Sequence, residues 1–507
     1  MKIRVLCLTS LLLVLVSYAK LAEDAIQLGS RLELLLDDYL IQRKSGEVEL
    51  RLHHPVARNV ALVTDASWEG NACHYRSVFK DGDIYRMYYS GLHWEEGGAA
   101  EKALPKHPGF LLYAESRDGI QWKKPELGLV TFKGSSRNNI LVNPEVLQEA
   151  KIDPAHFSVF KDDNPACSLD AKYKAFIVGQ NPRGLFPFKS ADGIRFLPMQ
   201  QTPVITKGAF DSQNLAFWDP VRAEYREYHR DFLENKQRGI RTSISKDFLH
   251  WTEPIWLEFP GAAPEQLYTN QVQPYYRAPH IFLGFPMRYV DRGVTAVTYD
   301  LPNPVLRKLL VALNPRYGTT VTDGLFMSSR NGTGFKRWGE AFLRPGLEGE
   351  GKGRWFYGDN SPAWGLIETR SEMSANLKEI SLFATEGYRA GTSLNVRRYS
   401  IRLDGFASMQ ASLLGGEFVT KPVVFKGASL VLNFSTSAAG SIRIEIQEPS
   451  GQPIAGYSLA ESPELFGDSL ERTVRWRASS DVSQLAGRTV RLRFVMKDAD
   501  LYSFRFH

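Results

Sequence analysis

Five short stretches of the 507-residue chain carry acids and amides: SWEGN (Ser67–Asn71), KDDNP (Lys161–Pro165), FDSQN (Phe210–Asn214), EQLYTNQ (Glu265–Gln271) and YGDNSP (Tyr357–Pro362). Carboxylates drawn together from separate stretches can do acid–base work, because mutual repulsion keeps one protonated while another stays ionised. Glu69, Asp162 and Asp211 are the leading candidates for such a set. Asp163 is a neighbouring rival to Asp162, and Glu265, Asp323, Asp359 and Glu368 stand in reserve. Trp68, Asn71, His74, Asn164, Asn214, Tyr268, Asn270, Asp359 and Asn360 would supply ring faces and hydrogen-bonding groups for a substrate. Acids beside flat rings and amides suit a sugar. One carboxyl protonates a glycosidic oxygen, a second activates water or attacks, and the rings stack on the sugar face. Each residue also has a plainer reading. Glu69 could cap a turn, Asp162 could fold the Asn-Pro turn, and Asp211 could pair with an arginine such as Arg288. His74 reads as a substrate contact or a packed ring, and His229 and His280 as structural.

For such distant residues to meet, the chain must bring the five stretches to one place, and its repeats indicate how. SRDGIQW (Ser116–Trp122) returns as SADGIRF (Ser190–Phe196), SKDFLHW (Ser245–Trp251) and within SSRNGTGFKRW (Ser328–Trp338). In each, Asp or Asn with its neighbours makes a tight turn, Ser bonds the turn backbone, and the aromatic packs on the blade's outer strand. Upstream of each turn lies an aromatic strand pair, at residues 74–91, 156–179, 212–232 and 270–289, and a fifth pair covers 360–387. Repetition at this period predicts an all-β fold, a five-bladed β-propeller whose inner strands line one channel, each inner strand being entered through one of the five acid- and amide-bearing stretches. The seam is expected to close by RLELLLDDYLIQR (Arg31–Arg43) pairing beside Leu394–Phe406. Pro302–Pro315 has apolar residues at helical spacing and predicts an inserted helix. From Phe406 onward, short alternating strands predict a C-terminal β-sandwich. The expected division is a leader over 1–19, a propeller over 20–405 and a sandwich over 406–507.

The leader expectation rests on Lys2 and Arg4, the apolar run that follows, and Ser17-Tyr18-Ala19 as a cleavage site; it implies export to the periplasm or the exterior. No later stretch is long and apolar enough for a membrane helix. With 62 basic and 56 acidic residues interspersed, the chain lacks the basic stripe of a nucleic-acid binder. Cys73 and Cys167 remain after the leader and could pair, though two cysteines make no framework. No zinc spacing, phosphate loop or dinucleotide fingerprint occurs.

The blade order, the S-x-D-G-x-x-W turns and the trailing sandwich resemble the five-bladed glycoside hydrolases of families 43 and 32. They also resemble a large group of exported propeller proteins that carry DDYLI, W-E-G-N, FKD-x-NP, FDSQN, TNQVQPY and a terminal KDADLYSFRF. These occur here at Asp37–Ile41, Trp68–Asn71, Phe160–Pro165, Phe210–Asn214, Thr269–Tyr275 and Lys497–Phe506. The resemblance implies an oligo- or polysaccharide partner. It also implies a base or nucleophile at Glu69, a transition-state stabiliser at Asp162 and a general acid at Asp211. It implies no cofactor, although some relatives hold a calcium ion in the channel. The sequence departs from the enzymes in lacking W-M-N-D-P-N, R-D-P and E-C segments, and in exchanging Glu and Asp between blades one and three. A carbohydrate-binding propeller without catalysis is the alternative reading, and a surface interaction protein with an idle funnel is a third.

Overall fold

The computed structural model describes residues 25–95, 104–142, 148–348, 353–374 and 376–507; the expected leader at 1–19 lies outside them. Among these residues no helix is long and apolar enough to cross a membrane. The chain forms two compact units, one of residues 54–402 and one combining the described residues up to 53 with 403–507.

The larger unit is a five-bladed propeller built from five four-stranded antiparallel sheets. The inner strands are Ser77–Asp81, Ile152–Lys161, Leu215–Asp219, Gln273–Tyr275 and Ile367–Arg370. Blades two and three are consecutive meanders, while a separate two-stranded sheet, Trp94–Glu95 with Leu104–Pro105, falls in sequence between the second and third strands of blade one. Blade four is interrupted by a two-stranded sheet, Met287–Asp291 with Thr320–Gly324, and the predicted helix, Pro304–Leu313, lies between those two strands. The fifth blade closes on an N-terminal strand, but not the expected one. Val56–Val63 pairs antiparallel with Asn395–Arg402, and Arg397 donates to the Arg58 carbonyl at 2.6 Å. Val56, Val60 and Val63 give this segment the β-branched texture of a half-buried edge strand.

The expected seam strand, Arg31–Arg43, belongs to the second unit instead. Its run Leu34-Leu35-Leu36 is buried, Glu33–Leu34 pairs with the final strand, and Ile41–Leu52 pairs with Ala407–Thr420. The propeller therefore begins near residue 54, not at 20. The sandwich is built around the long strands Ala407–Thr420, Leu430–Gln447 and Thr489–Phe506. Its core includes Phe418, Phe425, Phe434, Trp476, Phe494 and Phe506, with the Phe425 and Phe506 rings stacked 3.7 Å apart.

The repeated turns are blade joints. Ser116 Oγ accepts from the N–H groups of Asp118 and Gly119, and Asp118 Oδ1 accepts from Ile120 and Gln121. Ser190/Asp192, Ser245/Asp247 and Ser329/Asn331 repeat the pattern. The aromatic six places on packs against the preceding blade, a correction to the outer-strand expectation. Trp122 meets Phe383, Phe196 meets Tyr88, Trp251 meets Phe176 and Phe335 meets Tyr228. The fourth repeat thus runs from Ser329 to Phe335, and Trp338 is outside the register. Ser116→Ala is expected to cost about 1 kcal/mol, since it strips an acceptor from the buried Gly119 N–H. A urea titration would measure it.

Candidate functional site

Inner strands that run the same way along a channel bring their upstream ends to one mouth and their downstream ends to the other. At the upstream mouth, Tyr75 precedes blade one, Asp153 and His156 lie in the first residues of blade two, Asp211 precedes blade three, Tyr268 blade four and Tyr357 blade five. The rings form a connected set. Tyr75 lies 5.2 Å from His156, His74 4.2 Å from Tyr388, Tyr388 5.7 Å from Tyr357, and Tyr357 5.9 Å from Tyr268. Arg230 sits over the Tyr268 ring at 4.8 Å and donates to Asp211. Tyr75 holds φ at +53°, a left-handed conformation costly for a bulky residue, so the surrounding packing must impose it.

Asp211 and Asp153 bring partly exposed carboxylates to this mouth. The Asp211 side chain is 59% exposed; besides Arg230 it has Arg183 at 4.0 Å. Asp153 accepts from, or shares a proton with, His156 Nδ1 at 2.7 Å. Burial alone would raise the Asp153 carboxyl, but the adjacent His156 holds it below its ordinary range. Burial keeps the tyrosines neutral: Tyr75 and Tyr357 are pushed well up, with neighbouring tyrosine hydroxyls adding to the effect. His74 is pushed down to about 3 by burial, helped by Arg76 and His156, and is a neutral ring at ordinary pH.

Beneath the mouth the axis is sealed by buried polar groups. Gln213 Nε2 donates to the Arg76 carbonyl at 3.1 Å, and Gln271 Nε2 donates to Gln213 Oε1 at 2.6 Å. Arg76 itself donates to Thr385 Oγ1 and the Cys73 carbonyl. Cys73 and Cys167 are both free thiols.

Of the residues singled out from sequence, Asp211, His74 and Tyr268 are brought together at this mouth. The others lie elsewhere. Glu69 precedes blade one, but its carboxylate turns into the protein, where it is fully buried. It accepts from Tyr89 (2.6 Å), Lys124 (2.6 Å) and the Ala66 N–H (2.9 Å). Burial pushes this carboxyl up, against the pull of Lys124. Asp162 and Asn164 follow the blade-two inner strand instead of preceding it, so they stand at the opposite end of the channel from Asp211. Asp162 is held by Lys174 and by Tyr225 Oη at 2.6 Å; Asn164 donates to Tyr225 Oη at 3.0 Å. Asn71, Asn214, Asn270 and Asn360 direct their amides at backbone carbonyls and build the loops. Trp68 donates to Asn139 at 2.6 Å. Arg288, a suggested partner for Asp211, binds Asp323 and Glu265. His229 is buried against Glu227. Sequence reasoning missed Asp153, His156, Arg183 and Arg230. The segment IDPAH (Ile152–His156) stands where KDDNP was placed, and its Asp-His pair was the available signal.

Asp359 has a different role. It is fully buried, accepts from the N–H groups of Phe356 (3.0 Å) and Tyr388 (2.8 Å), and burial pushes its carboxyl up to about 8. A carboxyl raised from 3.8 on folding binds its proton more tightly when folded. Its contribution is therefore complete below about pH 4 and is lost as pH climbs toward the folded value, by at most about 1.4 kcal/mol per pH unit. Asp359→Asn is expected to flatten this decline between about pH 5 and 8, read from urea midpoints across that range.

No family model matches the chain. A curated relative, an uncharacterized protein of Mycobacterium tuberculosis, is 32% identical over 103 residues, covering 20% of this chain and 29% of the relative. The match thus spans under a third of that protein. Similar solved structures include a thermostable family-43 glycoside hydrolase (11% identity, 69% of this chain and 96% of that one, TM-score 0.41). Others are the β-1,2-mannobiose phosphorylase of Listeria innocua (11%, 70% and 99%, 0.43) and a GH32 β-fructofuranosidase of Bombyx mori (10%, 90% and 94%, 0.37). The expected likeness to propeller glycoside hydrolases is met. The fold assignment itself rests on the blade topology.

Proposed function

We propose that this protein acts on a glycosidic bond of an oligo- or polysaccharide at the upstream mouth, after export by the leader. The observation that carries the reading is Asp211, a solvent-exposed carboxylate braced by Arg230 and Arg183 within a ring of tyrosines. In hydrolysis, water attacks the anomeric carbon and yields its proton to Asp211. The C–O bond breaks as the leaving oxygen takes a proton from His156, which Asp153 orients through Nδ1. Tyr268 and Tyr75 offer faces for the sugar ring.

The sealed carboxylates Glu69 and Asp162 favour a second reading, a propeller that binds saccharide without cleaving it. A reducing-end assay over a polysaccharide panel separates the two. Release by wild type, with KM raised in Tyr268→Ala, supports hydrolysis. Binding without release, seen as ligand-dependent protection from thermal unfolding, supports the second reading. Neither release nor protection on any saccharide overturns both.

A further inference from the structure

The downstream end of the channel holds a cavity of about 650 Å3 to which all five inner-strand segments contribute. It is separated from the upstream mouth by the buried Arg76, Gln213 and Gln271 layer, and none of the residues given a role in hydrolysis lines it. Its volume lies within the range of small-ligand sites.

Three features define what it would hold. First, Trp218, Trp364, Phe79 and the 47%-exposed Tyr276 present aromatic surface to the cavity, as a pyranose face requires. Second, Gln273 lines the wall, and its amide Nε2 is buried without a hydrogen-bond partner. A buried donor without an acceptor is costly, and a sugar hydroxyl or carboxylate would satisfy it. Third, the charges are unbalanced. Lys161 pairs with Asp81 at 3.2 Å, and Glu368 accepts from Tyr276 Oη at 2.8 Å. Lys80 and Lys378 line the same cavity, and no carboxylate among the described residues lies within 4.0 Å of either ammonium. Lys80 rests over the Tyr85 ring at 5.8 Å. Asp163 also lines the cavity, where burial and the adjacent Asp162 push its carboxyl up against the pull of Lys161, so the lining sets Lys80, Lys161 and Lys378 against Asp163 and Glu368.

We propose that this downstream cavity is a second saccharide site, selective for a sugar bearing a carboxylate or sulfate. Rings seat the sugar, Gln273 bonds a polar substituent, and Lys80 and Lys378 meet the acid group. The site is independent of catalysis at the other mouth.

Titration calorimetry on the full chain would use three probes: an oligogalacturonate, a sulfated oligosaccharide and a neutral cello-oligosaccharide. At least one acidic probe is expected to bind, and which one distinguishes a carboxylate from a sulfate source. Lys80→Gln combined with Lys378→Gln should weaken it at least about tenfold. Trp218→Ala should abolish binding and Trp218→Phe largely retain it, so a loss through misfolding is separable from a lost ring contact. Tyr268→Ala at the upstream mouth should leave it unchanged. Binding that is lost in Tyr268→Ala but kept in Trp218→Ala would overturn the proposal, as would equal affinity for the neutral probe or no binding by either acidic one.

Discussion

Asp211→Asn is expected to lower saccharide release by about 10²- to 10⁴-fold, the range lost when a positioned acid–base group is removed. The substitution is close to isosteric. It keeps an oxygen to accept from Arg230, whose guanidinium is almost fully buried and would otherwise lose its acceptor. Melting should therefore change little, and the loss should fall on kcat. An Arg183→Gln variant provides the contrast. That guanidinium is 53% exposed and 4.0 Å from Asp211, so its removal should alter KM more than kcat. Unchanged release by Asp211→Asn on a substrate that wild type cleaves would remove Asp211 from the chemistry while leaving the propeller assignment intact.

The fold was legible because its marks are local and repeated. The serine-to-aspartate turns need side-chain oxygens at fixed offsets from backbone N–H groups, and that constraint prints itself on the sequence four times. The seam was harder to read. Arg31–Arg43 and Val56–Val63 are both apolar enough for strands, and only long-range pairing decides which one meets Asn395–Arg402. The site suffered from a different ambiguity. A propeller strand has an acid-rich loop at either end, and a sequence does not mark which end faces which mouth. KDDNP carries more carboxylates than IDPAH, yet it follows the ten-residue strand Ile152–Lys161 that Asp153 and His156 help to begin. At about 3.3 Å per residue the two ends stand some tens of ångströms apart. Amides misled for a related reason. Asn71, Asn214, Asn270 and Asn360 look like hydroxyl-binding groups, but loops that enter a buried axis leave carbonyls in need of donors, and these side chains supply them.

Asp162→Ala is expected to destabilise the propeller by about 3–5 kcal/mol, because it strands a buried ammonium. Among the described residues, Lys174 Nζ has Asp162 as its one carboxylate partner, with Tyr225 Oη and Cys167 Sγ at 3.3 Å and the Ala171 carbonyl at 3.4 Å. Neutral neighbours cannot replace the lost charge, and water has little access to the site. Lys174→Met alone should be nearly as damaging, since among the described residues Asp162 would keep neutral partners, Tyr225 Oη, the Asn164 N–H and the Cys167 thiol. Pairing Lys174→Met with Asp162→Asn should cost less than the sum of the single changes. A well-packed neutral pair avoids the desolvation of both ions, and contacting residues are not additive. Urea midpoints for wild type, Asp162→Asn, Lys174→Met and the double variant close the cycle and give the coupling directly. The same cycle tests the position of Asp162 in function: an acid that anchors the downstream end of blade two should lower stability when replaced, while kcat per folded molecule stays near wild type. A large fall in kcat at undiminished stability would instead return Asp162 to the reacting set.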